Sequence, residues 1–285
     1  MPAYAVTGAS GPFGRLVVES LLERGVPAAD IVAVARTEAK AADLARRGVE
    51  VRQADYSRPD TLPPALAGVR RLLLVSGNEP GRRLAQHRAV IDAAAAAGVE
   101  RLAYTSVLRA DTTANPLAPD HKATERALAA SGLPATVLRN GWYIENYTDA
   151  VDRYLAHGEI VGAAGQGRVS GATRADYAAA AAAALTGDEG GTTVYELGGA
   201  PFTFTELAAA VTAVTGTEVA YRDLSAADYA AVLRATGMDA GTAEFVASID
   251  ASIARGELET GSEDLPRLLG RPATPLAEAI RAARA

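Results

Sequence analysis

Residues Tyr4-Ala5-Val6-Thr7-Gly8-Ala9-Ser10-Gly11-Pro12-Phe13-Gly14 decide how the rest of the chain is read. An apolar run ends at Thr7, and glycines follow at positions 8, 11 and 14. An apolar stripe at helical spacing (Phe13, Leu16, Val17, Leu21, Leu22) then begins. Strand, tight turn and helix in that order make a corner suited to phosphate. Gly8 can turn the chain through positive φ, where a Cβ would clash. Gly11 lets the backbone approach a pyrophosphate, and Gly14 lets helix and strand pack closely. The helix N-terminus turns its free N–H groups and positive dipole towards the anion. The spacing is G-x-x-G-x-x-G rather than the usual G-x-G-x-x-G, so the position between a strand and a helix carries the reading.

Outward from this corner, Ile31-Val32-Ala33-Val34-Ala35 is apolar at every position, the mark of a parallel strand buried on both faces. Further strands are expected at 49–54, 72–75, 102–105 and 135–138, with helices at 38–47, after Pro59, at 81–97 and at 120–131. Strands and helices thus alternate through six rounds, which predicts an α/β fold: a Rossmann-type doubly wound parallel sheet with right-handed crossovers. Beyond residue 143 the alternation breaks down. Short strands are expected at 159–162, 168–171, 193–197 and 218–221, with helices near 174–186, 204–215, 225–236, 239–255 and 275–284. The expected organisation is an NADP-binding lobe over 1–143 and a smaller α+β substrate lobe over 144–285, with segments such as 171–177 returning to the cleft. The alanine run at 178–184 reads as a tightly packed helix, alanine being the best helix former.

The chain has 285 residues, 49% of them hydrophobic, and a mean hydropathy of +0.05, which fits a folded soluble protein with a sizeable core. No run approaches the roughly 18 apolar residues of a membrane span, and the N-terminus lacks the pattern of a secretory signal. With no cysteine there is no disulfide or thiolate metal site, and the cytoplasm is the expected compartment. A net charge of −6 and a pI near 5.2 argue against nucleic acid or an anionic membrane as partner. The small basic clusters Arg70-Arg71 and Arg82-Arg83 read as solvated element ends.

In a doubly wound sheet, ligands bind beyond the carboxyl ends of the strands. This selects residues 8–14, Arg36, Asp55-Tyr56, Ser76-Gly77-Asn78, Tyr104-Thr105-Ser106 and 140–145. Arg36 stands where NAD enzymes place an acid for the ribose 2′-OH, and a cation there favours the 2′-phosphate of NADP. His87, His121 and His157 are far apart in sequence, and neither HExxH nor G-x-S-x-G occurs, so neither metal hydrolysis nor serine acyl transfer is expected. A Tyr-x-x-x-Lys acid–base pair is also missing. That absence weighs against alcohol dehydrogenase chemistry, but not against hydride transfer to an acceptor that water can protonate.

The opening motif resembles the NmrA-like atypical short-chain dehydrogenases. So do Arg36, Val51-Arg52-Gln53-Ala54-Asp55-Tyr56, Tyr104-Thr105-Ser106, Arg139-Asn140-Gly141-Trp142-Tyr143, Glu145-Asn146-Tyr147 and Ala172-Thr173-Arg174-Ala175-Asp176-Tyr177. Within that group the resemblance is to the bacterial flavin-independent NAD(P)H:quinone oxidoreductases, and it runs almost end to end. It implies NADPH as cofactor, without flavin or metal, and a quinone-like acceptor taken by a monomer or homodimer. It also implies phosphates on Gly8, Ala9, Ser10, Gly11, Pro12 and Phe13, the 2′-phosphate at Arg36, and Ser76, Gly77 and Asn78 along the cofactor path. Two segments would close over the cofactor: Asn140, Gly141, Trp142, Tyr143, Ile144 and Glu145, and then Gly171, Ala172, Thr173, Arg174, Ala175 and Asp176. Quinone reductases of this type tend to carry serines where Gly77-Asn78 stands.

Three residues are candidate catalysts. His121 is either a proton donor of near-neutral pKa or a helix-start histidine bonded to backbone. Tyr143, with Trp142, either stacks on the nicotinamide or quinone or belongs to the core. Asn140 would hold a carboxamide or quinone oxygen. Arg174 and Asp176 either enter the cleft or cap the next helix. The rival activities are reduction of triarylmethane dyes and non-catalytic sensing of NADP, as in NmrA.

Overall fold

The computed structural model describes residues 3–284 except 80 and 189. Its strands are β1 (Tyr4–Val6), β2 (Ile31–Ala35), β3 (Glu50–Gln53), β4 (Arg71–Leu74), β5 (Arg101–Val107), β6 (Ala135–Asn140), β7 (Trp142–Tyr143), β8 (Glu159–Gly162), β9 (Gly171–Ala172), β10 (Thr193–Leu197) and β11 (Ala220–Asp223). Helices α1 (Pro12–Glu23), α2 (Ala42–Arg46), α3 (Leu62–Leu66), α4 (Arg83–Ala96) and α5 (Ala118–Ala130) alternate with the first six strands. The sheet order is β10-β6-β5-β4-β1-β2-β3, all parallel. The order reverses at β1, which puts the glycine corner at the switch point where such sheets open a crevice.

Successive side chains of a strand face opposite sides, and the core divides accordingly. Val6, Ala33, Leu73, Ala103 and Leu138 pack under α1 and α8 (Arg174–Thr186). Ala5, Val32, Leu72, Leu102 and Val137 pack under α3, α4 and α5. Ala178, Ala180, Ala181 and Ala182 are fully buried, so the alanine run is what lets α8 lie close against α1 and the sheet.

Two expectations change here. The 193–197 strand, assigned from sequence to the second lobe, is β10. It extends the first sheet by pairing with β6, Thr193 opposite Thr136 through Leu197 opposite Asn140. Residues 174–197 therefore pack with the first lobe. The strand expected at 168–171 shrinks to β9, which pairs with β7, while Val169 bridges Phe202. The remainder builds a second core from Ile144, Tyr147, Ile160, Phe202, Phe204, Leu207 and Ile253. It holds α6 (Glu145–Thr148), α7 (Val151–His157), α9 (Phe204–Thr215), α10 (Ala226–Ala235), α11 (Ala240–Ala254) and α13 (Leu276–Ala282), whereas α12 (Asp264–Leu269) packs through buried Leu265 on α8 and β10 of the first lobe. Among the described residues, no helix is long and apolar enough to cross a membrane.

Candidate functional site

A cleft of about 660 Å³ runs along the carboxyl ends of the strands. At its centre Gly8 sits at φ +62°, and a Cβ on Gly14 would press into the Gly8 carbonyl. These are the two positions where the corner admits only glycine. The Gly11 N–H closes the turn on Gly8 O at 2.9 Å, and α1 starts with Pro12 in its first turn. The first-turn N–H groups therefore have no partner within the helix and line the cleft. The floor is stitched by hydroxyls: Val75 N–H donates to Thr7 Oγ1 (3.0 Å) and Ser76 N–H to Thr105 Oγ1 (2.8 Å). The Tyr56 hydroxyl donates to Val75 O (3.0 Å) and touches Thr7.

One end of the cleft is cationic. Arg36, at the end of β2, is 69% exposed and 3.7 Å from Glu79, and its carbonyl accepts from Gln53 Nε2 at 3.0 Å. Lys40, not singled out from sequence, lines the same end.

The opposite end gathers Ser106, Leu117, His121, Asn140, Trp142 and Tyr143. Asn140 closes β6, and its Oδ1 is buried with no hydrogen-bond partner. Tyr143 lies against Phe13 (centroids 6.0 Å) and edge-on to Tyr177 (5.6 Å), with the Arg174 guanidinium 5.3 Å from its ring. Burial pushes its hydroxyl up to about 12. Beneath this end, Arg139 binds Glu125 (2.7 Å), Glu196 (2.8 Å) and Asp111 (2.9 Å), tying β6 to α5, β10 and the loop after β5.

His121 departs from its near-neutral expectation. Burial, reinforced by the positive charge of Arg83, lowers it to about 3, and its Nδ1 meets the Tyr104 hydroxyl at 2.7 Å. It is a neutral imidazole at physiological pH. His87 is neutral for the same reasons, at about 4. The Gly77 N–H donates to its Nε2 (2.9 Å), so its ring proton sits on Nδ1, facing Thr124 Oγ1 at 2.9 Å.

Arg83 was read from sequence as a solvated helix end. It is 7% exposed and lines the cleft, donating from Nε to Gly77 O (2.7 Å) and pairing through Nη1 with Asp120 (3.3 Å). The signal that could have found it is its place as the first residue of the helix after β4, directly over the strand ends.

Of the residues expected at the cofactor, Gly8, Ser10, Gly11, Pro12, Phe13 and Arg36 line the cleft. So do Ser76, Gly77, Asn78, Asn140, Gly141, Trp142, Tyr143 and Arg174. Ala9, Ile144, Gly171 and Ala172 are buried behind it, and Thr173 and exposed Ala175 do not line it. Glu145 accepts from Arg174 N (2.8 Å), holding the 140–145 turn to the start of α8. Asp176 turns away: its N–H is capped by Thr173 Oγ1, and its carboxylate holds Arg271 (2.8 Å) and Thr274 N (2.8 Å). No group of acidic and histidine side chains suited to a metal occurs among the described residues.

The sequence profile of a family described as NAD(P)H-binding matches residues 8–188. Quinone oxidoreductase 2 of Escherichia coli (strain K12) is 50% identical over 97% of this chain and 96% of its own length. The crystal structure of an NADPH-dependent quinone oxidoreductase from Escherichia coli, complexed with NADPH, superposes with a TM-score of 0.96 at 48% identity, covering 99% of this chain and 100% of that one. The Citrobacter sp. triphenylmethane reductase complexed with NADP(H) superposes with a TM-score of 0.94 at 38% identity, over 99% and 100% of the two chains.

Proposed function

This chain belongs to the NAD(P)H-binding family, and on that premise we propose that it is an NADPH-dependent oxidoreductase passing hydride directly to a quinone. The observation that carries the reading is one continuous cleft, which leads from Arg36 and Lys40, past the glycine cradle, to an acceptor end built around neutral His121 and Asn140. Near-full-length similarity to a protein named for its quinone substrate supports the same acceptor class.

The residues fit the cofactor. Gly8 and Gly14 keep the cradle clear of side-chain atoms, and Arg36 with Lys40 would hold a 2′-phosphate. The unpartnered Asn140 Oδ1 is an acceptor suited to a carboxamide N–H, since a buried polar atom left unpaired costs about 1–3 kcal/mol. Bound there, NADPH supplies the hydride.

The chain supplies the setting. Tyr143, wedged between Phe13 and Tyr177, screens the transfer from water, and Trp142 walls the acceptor. His121 stays neutral and offers a hydrogen bond rather than an acidic proton, so the proton that completes the product comes from solvent. The cytoplasm as compartment, and a monomeric or homodimeric state, belong to the same reading. The test is NADPH oxidation by purified protein across a panel of quinones. Turnover without added flavin is the expected outcome, and tight NADPH binding without turnover would sink the proposal.

A further inference from the structure

We propose that Arg83 is a catalytic residue: it holds the negative charge that arrives on the acceptor's oxygen, and thereby selects neutral acceptors over cationic ones. The inference rests on hydride transfer to a quinone being the reaction.

Arg83 is set between two elements on the β4–β5 side of the switch point. Its Nε grips Gly77 O at 2.7 Å after β4, and its Nη1 stands 3.3 Å from Asp120 at the start of α5. Arg36 lies on the other side of β1, after β2. Arg83 therefore shares the acceptor end with His121, Ser106 and Leu117. A guanidinium this buried is costly unless paired, yet its one carboxylate partner is held loosely. Its charge also reaches the neighbours, being the second cause, after burial, that keeps both His87 and His121 neutral. The acceptor end thus has a fixed positive charge at Arg83 with neutral imidazoles beside it, while the other guanidinium of this end, Arg174, lies against Tyr143, 5.3 Å from its ring.

Quinone reduction calls for that arrangement. One carbonyl oxygen of the acceptor gains the hydride with its electron pair, forming an O–H bond. The ring becomes aromatic as π electrons shift, and the opposite oxygen takes the negative charge. NADPH is oxidised to NADP⁺, and one proton from water completes the hydroquinone. A preorganised cation aimed at the developing oxyanion acts as an oxyanion hole does. A cationic triarylmethane dye reverses the requirement. Hydride addition makes it neutral, no anion develops, and a buried cation beside it repels the substrate.

The experiment compares Arg83→Gln and Arg83→Lys with the unaltered chain in three measurements. These are NADPH affinity, single-turnover rates with 1,4-naphthoquinone and with malachite green, and a spectral titration of 4-nitrophenol bound to the NADP⁺ complex. Arg83→Gln should slow quinone reduction about a hundredfold while NADPH affinity holds and dye reduction is unchanged or faster. Arg83→Lys should recover part of the quinone rate. The bound nitrophenol should ionise at lower pH in the unaltered chain than in Arg83→Gln. Proportional losses with both acceptors, or a matching loss of NADPH affinity, would make Arg83 a loop anchor or phosphate ligand and overturn the proposal. If the unaltered protein reduces no quinone, the functional reading fails, and the nitrophenol titration still decides whether Arg83 stabilises an anion.

Discussion

At Arg36 the guanidinium is 69% exposed and its contact with Glu79 spans 3.7 Å, a surface pair of the kind that contributes little to stability. Its value lies in what it can still bind. A charge-assisted hydrogen bond to phosphate contributes about 1.5–3 kcal/mol, so Arg36→Ala should weaken NADPH binding about ten- to a hundredfold. Lys40 nearby holds the loss towards the lower figure, and NADH binding should stay unchanged. Equal losses for both dinucleotides in a fluorescence titration, or none, would show that Arg36 does not read the 2′-phosphate. Arg83 has the same side chain at 7% exposure, and burial turns it from a surface charge into part of the site. Charge patterning along the sequence distinguishes neither case, because both arginines sit next to polar neighbours at element ends.

The α8 element shows how side-chain size sets an interface. Ala181 is fully buried in the layer shared with α1, where extra methylenes have nowhere to go. Ala181→Leu should cost about 1–3 kcal/mol by overpacking, read as a lower denaturation midpoint, whereas Ala175→Leu on the exposed face should leave it unchanged. Equal midpoints for both would mean that the α1–α8 contact is not tight. Helical spacing and the alanine run were enough to place this helix at 174–186, as observed. The apolar pattern likewise gave the first six strands: those buried on both faces, such as β2, carry continuous apolar runs, whereas β3, with exposed ends, was marked only by Val49 and Val51 between polar residues. The partner of β10 was not legible, since an edge strand's five residues carry no mark of which sheet they join. The turn-length α6 (Glu145–Thr148) and the two-residue β7 are too short to show any period. Of the site, glycine geometry and Arg36 could be read locally. Arg83 and the neutrality of His121 depend on burial created by distant segments.

Across the whole molecule, His87 and His121 give the fold a defined pH response. Their ordinary value is 6.5, and the folded chain holds them at about 4 and about 3. Below 6.5 the unfolded chain binds protons that the folded chain refuses. Their contribution is therefore complete above 6.5 and is lost as pH falls towards the folded values. Asp250 opposes this: burial raises it from 3.8 to about 6, so the folded chain gains stability as pH falls through that window. Two groups outweigh one, and stability should decline on acidification from about pH 6.5 to 5, by about 1.4 kcal/mol per pH unit for the surplus imidazole. His87→Gln keeps an acceptor for Gly77 N–H without titrating, and should flatten the dependence of Tm on pH. An unchanged slope would contradict the assignment. What the cleft does is read most directly by single-turnover reduction of a quinone by flavin-free protein loaded with NADPH deuterated at C4. The quinone should be reduced, and deuterium at the transferred position should slow the step. Loaded protein that leaves every quinone unreduced would contradict the proposed hydride transfer.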